Sequence, residues 1–279
     1  MTPQDKLNQV VETIINKIEN GELQSWFKSW SAGLPKNYAS NTFYSGFNIL
    51  SLMNEMNEKG YKTNQWLTFN QIQKLGVKLK QGSKGASVFF FKPLEIEEAD
   101  ETTGELVKKT IPLLKTFTVF NVDATDIQID NQNEEIPDLN DFIAQSGAII
   151  KTRTEAFYNP KNDYIGMPHI STFIDSANYG ATILHELSHW TGAEHRLNRN
   201  LTGKFGTEDY GKEELVAELS AAMLCSHFQI SGDLRHAEYL QSWLKALKAE
   251  PKLLWKSASE AQKVFDYLMD ITQSQETAA

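Results

Sequence analysis

One cysteine, Cys225, is all that 279 residues provide, which excludes an intramolecular disulfide and a cysteine-rich zinc cluster. No apolar run approaches the roughly 20 residues needed to cross a bilayer, so no membrane partner is expected. The opening segment, MTPQDKLNQVVETIINKIENG, is amphipathic with polar flanks and lacks the apolar stretch of a signal peptide. A cytoplasmic location is the simplest expectation. No internal repeat or low-complexity tract is present. What remains has the composition of a soluble globular protein, with length for about two domains that each bury a core.

Charge is unevenly placed. The net charge is −9, yet residues 1–92 carry 11 Lys against 6 Asp+Glu, a balance of +5. The rest carries 16 Lys+Arg against 30 Asp+Glu. A basic front on an acidic protein suits a local polyanion site, or else a solvated lysine surface.

Leu7, Val10, Val11, Ile14, Ile15 and Ile18 follow helical spacing and predict a helix over 5–20, ended by Gly21. A second helix starts at Phe47 and closes at Gly60. Thr68 with Gln71 three residues on is a capping box, opening a short helix that Gly76 stops. Val77–Lys80 and Ala86–Lys92 read as two strands joined by the turn 81–85, with Lys78 and Lys80 on one face. An acidic hairpin tip at 97–105 and a strand over 117–122 follow. Residues 126–138, DIQIDNQNEEIPD, have the composition of a linker. A helix near 139–146 and a strand-rich stretch over 149–173 come next. Four helices are expected after that, near 176–192, 211–228, 234–249 and 257–272. The fold class expected is α+β in two domains, 1–125 and 139–279, the second mostly helical with a small sheet.

The chemistry concentrates in Ala181–His195, ATILHELSHWTGAEH. His185-Glu186-Leu187-Ser188-His189 is an H-E-x-x-H pattern. Residues four apart share a helix face, so two imidazoles can grip one ion while Glu186 reaches a water beside it. Ala181, Ile183, Leu184 and Trp190 make the surroundings apolar, as a buried site needs. Two satisfied core histidines are the bland alternative. The third ligand has two sources. His195 completes H-E-x-x-H-x-x-G-x-x-H, the metzincin spacing, but no clear Met-turn follows, and Met223 sits inside a helical pattern. Glu214 and Glu218 instead lie one turn apart on the next helix, on a face whose Ala217 and Ala221 permit close helix approach. Glu214 is favoured as ligand with Glu218 supporting it from behind, while Glu213 suits a helix N-terminal charge. Zn2+ is the expected ion, with Mn2+ or Co2+ possible. In a peptidase the ion polarises the carbonyl and Glu186 moves the proton. Tyr210 or His227 could steady the oxyanion, and a strand around 165–170 could pair with an extended peptide.

Aromatic residues stand among polar and basic ones in the first half: Trp26, Trp30, Tyr38, Phe43, Tyr44, Trp66 and Phe69, with Lys36, Lys74, Lys78, Lys80 and Lys84. Bases stacked on rings beside lysines are how single strands are held without sequence preference. Rings buried in a core give the same composition.

Read together, the two halves resemble the ArdC-type antirestriction proteins of mobile elements. The resemblance runs through Ile14–Gly21, the Trp26/Trp30 pair, Leu34-Pro35-Lys36-Asn37, Tyr44-Ser45-Gly46-Phe47-Asn48, Lys59-Gly60-Tyr61, Trp66-Leu67-Thr68, Lys80–Gly85 and Phe120-Asn121-Val122. It continues through HELSHWTGAEHRLNR at 185–199, Phe205-Gly206, Tyr210–Leu219 and the Trp243–Leu247 helix. The resemblance implies a single-stranded-DNA-binding domain followed by a zincin-like metallopeptidase domain, and protection of incoming DNA from host restriction. It carries DNA contact onto Lys36, Asn37, Tyr44, Asn48, Trp66, Lys78, Lys80 and Lys84. Serines stand where the family's tryptophan pair is preceded by prolines, and Lys80 where an arginine is common, which removes bidentate phosphate geometry. The family generally lacks a histidine at the position of His195, which favours the glutamate. A DNA-binding accessory protein with a structural metal, and a cytoplasmic zinc peptidase whose first domain binds protein, are the other functions this sequence suits.

Overall fold

The structure is a computed structural model that describes residues 1–22, 33–99, 106–128, 138–203, 207–230 and 240–276. The Trp26/Trp30 pair, the end of the acidic tip, most of the linker, Phe205-Gly206 and the start of the helix predicted near 234 lie outside them.

The first half begins with α1 (Pro3–Glu19), whose N-terminus is closed by a capping box between Thr2 and Asp5. α2 (Phe47–Lys59) ends at Gly60, whose left-handed φ of +64° suits a residue without a Cβ. The capping box at Thr68 and Gln71 starts α3 (Phe69–Lys74) as predicted. Four strands, β1 (Lys36–Asn37), β2 (Gln65–Thr68), β3 (Ala86–Ala99) and β4 (Leu106–Asn121), form a sheet of order β1-β2-β4-β3. β1 and β2 are parallel and the other pairs antiparallel.

The strand predicted at Val77–Lys80 does not form. The segment is held beside the chain by one bridge, Leu79 to Thr125, and by the Lys80 amide donating to the Ala124 carbonyl at 2.9 Å. Its alternation is real, with Lys78 and Lys80 exposed and Val77 and Leu79 half-buried. The partner of β3 is β4, in register from Ala86↔Val119 to Ala99↔Leu106. The turn 81–85 therefore joins no hairpin of its own.

The second half opens with α4 (Leu139–Ser146), capped by Asp138. A small sheet follows in the order β5-β7-β6, from β5 (Ile150–Thr152), β6 (Phe157–Asn159) and β7 (Tyr164–Met167). The helices α5 (Ser176–Trp190), α6 (Glu208–His227), α7 (Leu240–Ala249) and α8 (Lys252–Glu276) complete it. Among the described residues no helix is long and apolar enough to cross a membrane.

The main core runs through both halves. Leu7, Val11, Ile14, Ile15 and Ile18 of α1 belong to the same buried cluster as Leu184, Leu219, Trp243, Leu254 and Leu268. Polar contacts reinforce this: Gln262 accepts from the Gly46 amide at 2.9 Å, and Lys248 pairs with Glu19. The ring of Phe91 on β3 stacks on Trp255 of α8 at 4.9 Å and 14°.

Candidate metal centre and nucleic-acid face

α5 and α6 create the site by lying against each other through small residues. Ala217, Ala221, Ser188 and Ser220 are all fully buried, and the two serines return their hydroxyls to their own helix backbones. Asp175 caps α5, accepting from the Asn178 amide at 2.7 Å. Thr207 caps α6 through the Tyr210 amide. These caps set where each helix begins.

The facing side chains converge. His185 Nε2 and His189 Nε2 stand 3.1 Å apart, and they lie 3.5 Å from different oxygens of the Glu214 carboxylate, Oε2 and Oε1 respectively. A tetrahedral metal with ligand bonds of about 2.1 Å has ligand–ligand edges of about 3.4 Å. The spacing therefore fits one small divalent ion at the centre of this triad. Two imidazole nitrogens at 3.1 Å otherwise face each other with at most one proton between them. The buried Glu214 Oε2 and His185 Nδ1 have no hydrogen bond among the described residues, a cost that an ion would relieve at Glu214.

Behind each imidazole stands a further carboxylate. Glu218 Oε1 lies 3.6 Å from His185 Nδ1, and Glu213 Oε1 lies 3.2 Å from His189 Nδ1. At His189 a proton held on Nδ1 by Glu213 leaves Nε2 as the lone-pair donor, whereas Glu218 stands just beyond hydrogen-bond reach of His185 Nδ1. Glu213 is itself clamped by Arg199, whose Nε and Nη2 donate to it at 3.1 and 2.8 Å. The same guanidinium donates to Thr191 Oγ1 and to the Ser188 carbonyl. Burial opposes the charged form of His189, but Glu213 and Glu214 raise its pKa to about 9. The same contest leaves His185 well above its ordinary value, chiefly through Glu218. Glu214 is driven well below the carboxylate range by the two imidazoles despite its burial.

Glu186 is buried beside this triad, and burial pushes its carboxyl up from the ordinary value, against the pull of the two histidines. It lines a cleft of about 220 Å³ together with His185, His189, Glu214, Tyr158 and Tyr210. One wall is β6, the edge of the small sheet. β7, whose stretch was expected to receive an extended peptide, is flanked by β5 and β6 and has both edges taken. The free edge toward the cleft belongs to β6.

His195 is not brought to this centre. Its side chain is 64% exposed and stands 3.4 Å from Asp163, where the loop after Gly192 carries it away from α6. The metzincin reading is corrected accordingly. Next to it, Arg196 binds both carboxylate oxygens of Asp163, donates to Tyr158 OH at 3.1 Å and to the Trp190 carbonyl at 2.6 Å, and lies 3.8 Å over the Trp190 ring. This clamp ties the β6–β7 turn to the end of α5. His227, considered for the oxyanion, packs at the far end of α6 against Phe228 and Phe265, while Tyr210 lines the cleft. Sequence reasoning read Glu213 only as a helix N-terminal charge and missed the roles of Arg199 and Arg196. No spacing rule singled them out, although both arginines stand within ten residues of His189.

The residues assigned to DNA separate into two groups. Trp66 is 1% exposed, with its indole donating to Asn64 at 2.9 Å, so it is a core residue and not a stacking platform. Asn48 is buried and spends its side chain on the Phe89 carbonyl and amide. Asn37 is exchanged with Gln71 and caps the 38–41 turn, and Tyr44 is half-buried beside it. Trp66 and Asn48 are thus corrected to structural roles. Lys78, Lys80 and Lys84 are exposed along the turn region, and the Lys80 ammonium donates to the Asp123 carbonyl at 2.6 Å. Lys36, on β1, is half-buried.

Comparison with known proteins places this architecture. Residues 4–120 match the family described as the N-terminal domain of anti-restriction factor ArdC, and residues 137–260 match a zincin-like metallopeptidase family. The antirestriction protein ArdC of plasmid R388, in its metal-free crystal structure, is 39% identical. The alignment covers 95% of this chain and 97% of that one at a TM-score of 0.80. Its Mn(II)-bound structure is similar at 36% identity and a TM-score of 0.77, with the same coverage. The protein y4eC of Sinorhizobium fredii is 34% identical over 96% of this chain and 92% of its own length. The DNA primase TraC of Escherichia coli is 33% identical, but this chain spans 27% of that protein. On the extent and identity of these matches, the chain belongs to the ArdC family of antirestriction proteins.

Proposed function

We propose that this protein binds single-stranded DNA through its first half and holds a divalent metal ion in its second. In this reading it protects DNA entering the cytoplasm from restriction. The observation that carries the metal centre is the convergence of His185 Nε2, His189 Nε2 and one carboxylate, Glu214, at the separations of a tetrahedral edge. His185, His189 and Glu214 are the ligands in this reading. Zinc fits the two-nitrogen, one-carboxylate donor set, and the Mn(II) in the relative's structure supports manganese as the alternative.

A divalent ion held there supplies a Lewis acid for a carbonyl and acidifies water. The chain's own contribution is positional. Glu186 lines the cleft next to the triad, where its carboxylate takes a proton from the attacking water and passes it to a leaving amine. Tyr210 lines the same cleft and in this reading steadies developing negative charge. Glu213 holds the His189 imidazole with Nε2 turned to the ion, and the Glu218 carboxylate stands 3.6 Å behind His185. This is the arrangement of a peptidase, and the β6 edge offers an extended substrate its backbone partners.

The separating experiment is Glu186→Gln. Metal content by mass spectrometry is expected to equal wild type, while protection of transferred DNA in cells is lost. A Glu186→Gln protein that protects as well as wild type removes hydrolysis from the function and leaves a structural ion.

A further inference from the structure

The front half of the chain carries an exposed surface that none of the residues assigned from sequence accounts for. The register of the β3–β4 hairpin pairs Val88 with Phe117, Phe90 with Lys115, and Lys92 with Leu113. Paired residues project from the same side, and so do residues two apart along a strand. One face therefore carries Phe90, Lys92, Leu113, Lys115 and Phe117, and all five are exposed. Phe90 is 47% exposed and Phe117 52%, with their rings edge to face at 5.4 Å. The opposite face is occupied: Phe89 is in the core, Leu114 packs against it, and Phe91 stacks on Trp255 of α8. Folding thus accounts for that side, and on the other side for the end at Ala86, Val88 and Val119, which packs on Trp66; it also fixes the hairpin's position against the C-terminal helices. The other side leaves two aromatic rings and two ammonium groups facing water, with no acid among the five positions.

Rings beside lysines on a rigid strand pair match single-stranded nucleic acid in both components. The rings take bases, and the lysines take the phosphates between them. Resting on the reading that the first half binds single-stranded DNA, we infer that this outward hairpin face is the surface where bases stack. Phe90 and Phe117 are the stacking residues, and Lys92 and Lys115 hold the backbone. The charge favours this occupant over a second copy seated face to face, which would set Lys92 and Lys115 against the same ammonium groups. A purely apolar partner would leave both ammonium groups facing an apolar surface.

The test uses the full chain and a labelled oligothymidylate followed by fluorescence anisotropy at several salt concentrations. Phe117→Ala and Phe90→Ala are expected to weaken binding roughly tenfold each, the scale of one lost base stack. Phe117→Tyr restores it. Lys115→Ala is expected to weaken binding and lower the salt slope by about one. Both rings are exposed, so thermal melting should stay near wild type and separate loss of stacking from loss of folding. Wild-type binding that is strong and salt-dependent, yet unchanged by the double substitution Phe90→Ala with Phe117→Ala, overturns this surface and leaves DNA binding standing. Absence of wild-type binding overturns both. A shift in sedimentation from dimer to monomer in the double variant, with DNA binding intact, assigns the face to self-association and also overturns it.

Discussion

Glu213 and Glu214 are neighbours in sequence, but the helix points them about 100° apart, and that rotation gives them different tasks. Glu214 reaches between the two Nε2 atoms, whereas Glu213 reaches only His189 Nδ1 and is held there by Arg199. Substituting Glu214 by Ala should abolish tight divalent metal binding in titration calorimetry. Glu213→Ala should retain binding but weaken it about 10- to 100-fold, the usual cost of losing the partner that orients a ligand. His195→Ala should leave affinity unchanged, because that side chain contacts Asp163 and not the triad. Equal losses from Glu213→Ala and Glu214→Ala would mean that the two carboxylates share the ion. The pair of histidines and Glu186 were legible in the sequence because an i, i+4 spacing on one helix is a local property. Glu214 was legible as one of two answers. Glu213 was read only as a helix N-terminal charge, since its reach to His189 depends on how α6 packs on α5 rather than on charge pattern.

At the scale of elements, the Arg196 clamp joins the β6–β7 turn to α5, and its strength is expected to depend on pH. Arg196 lowers the Asp163 pKa by hydrogen bonding, against a smaller desolvation effect. A carboxyl held lower in the folded than in the unfolded chain stabilises the fold above its unfolded pKa of about 3.9. That contribution is lost as pH falls through the folded value. The gap in melting temperature between wild type and Asp163→Asn should therefore be open at neutral pH and close as pH drops below about 4. A gap that widens in acid contradicts the pairing. Gly85 shows a different constraint: a Cβ there would lie 2.3 Å from Thr118 Cγ2 and 2.9 Å from the Val119 carbonyl. Gly85→Ala should cost about 1–3 kcal/mol in urea unfolding, in the range of other overpacking changes.

The elements that the sequence showed most clearly were those with local signals: the Thr68/Gln71 box, Gly60, and the apolar stripe of α1. The acidic tip at 97–105 pointed to the β3–β4 hairpin, but Val77–Lys80 offered β3 a second partner across a short turn. Val77–Lys80 alternated like a strand, yet a half-exposed segment resting on one bridge alternates for the same reason. Trp66 and Phe117 illustrate the limit at the DNA face. Both are aromatic residues near lysines, and only register and burial tell the core ring from the exposed one.

At the scale of the molecule, the first half and the half that carries the His185–His189–Glu214 triad share one hydrophobic cluster, because α1 and α2 lie against the C-terminal helices. Heating should therefore produce one cooperative transition in calorimetry rather than two separated ones. Two resolved transitions would show that the halves are independently stable. The shared core also means that the hairpin face and the metal cleft keep a fixed relation, so DNA held by the first half would lie at a set position relative to the cleft. The most direct measurement of the central claim is anomalous scattering from crystals of this protein grown with Mn(II) or Zn(II). One peak is predicted about 2.0–2.2 Å from His185 Nε2, His189 Nε2 and a Glu214 oxygen. A peak beside His195 and Asp163, or none at the triad at saturating metal, would contradict it.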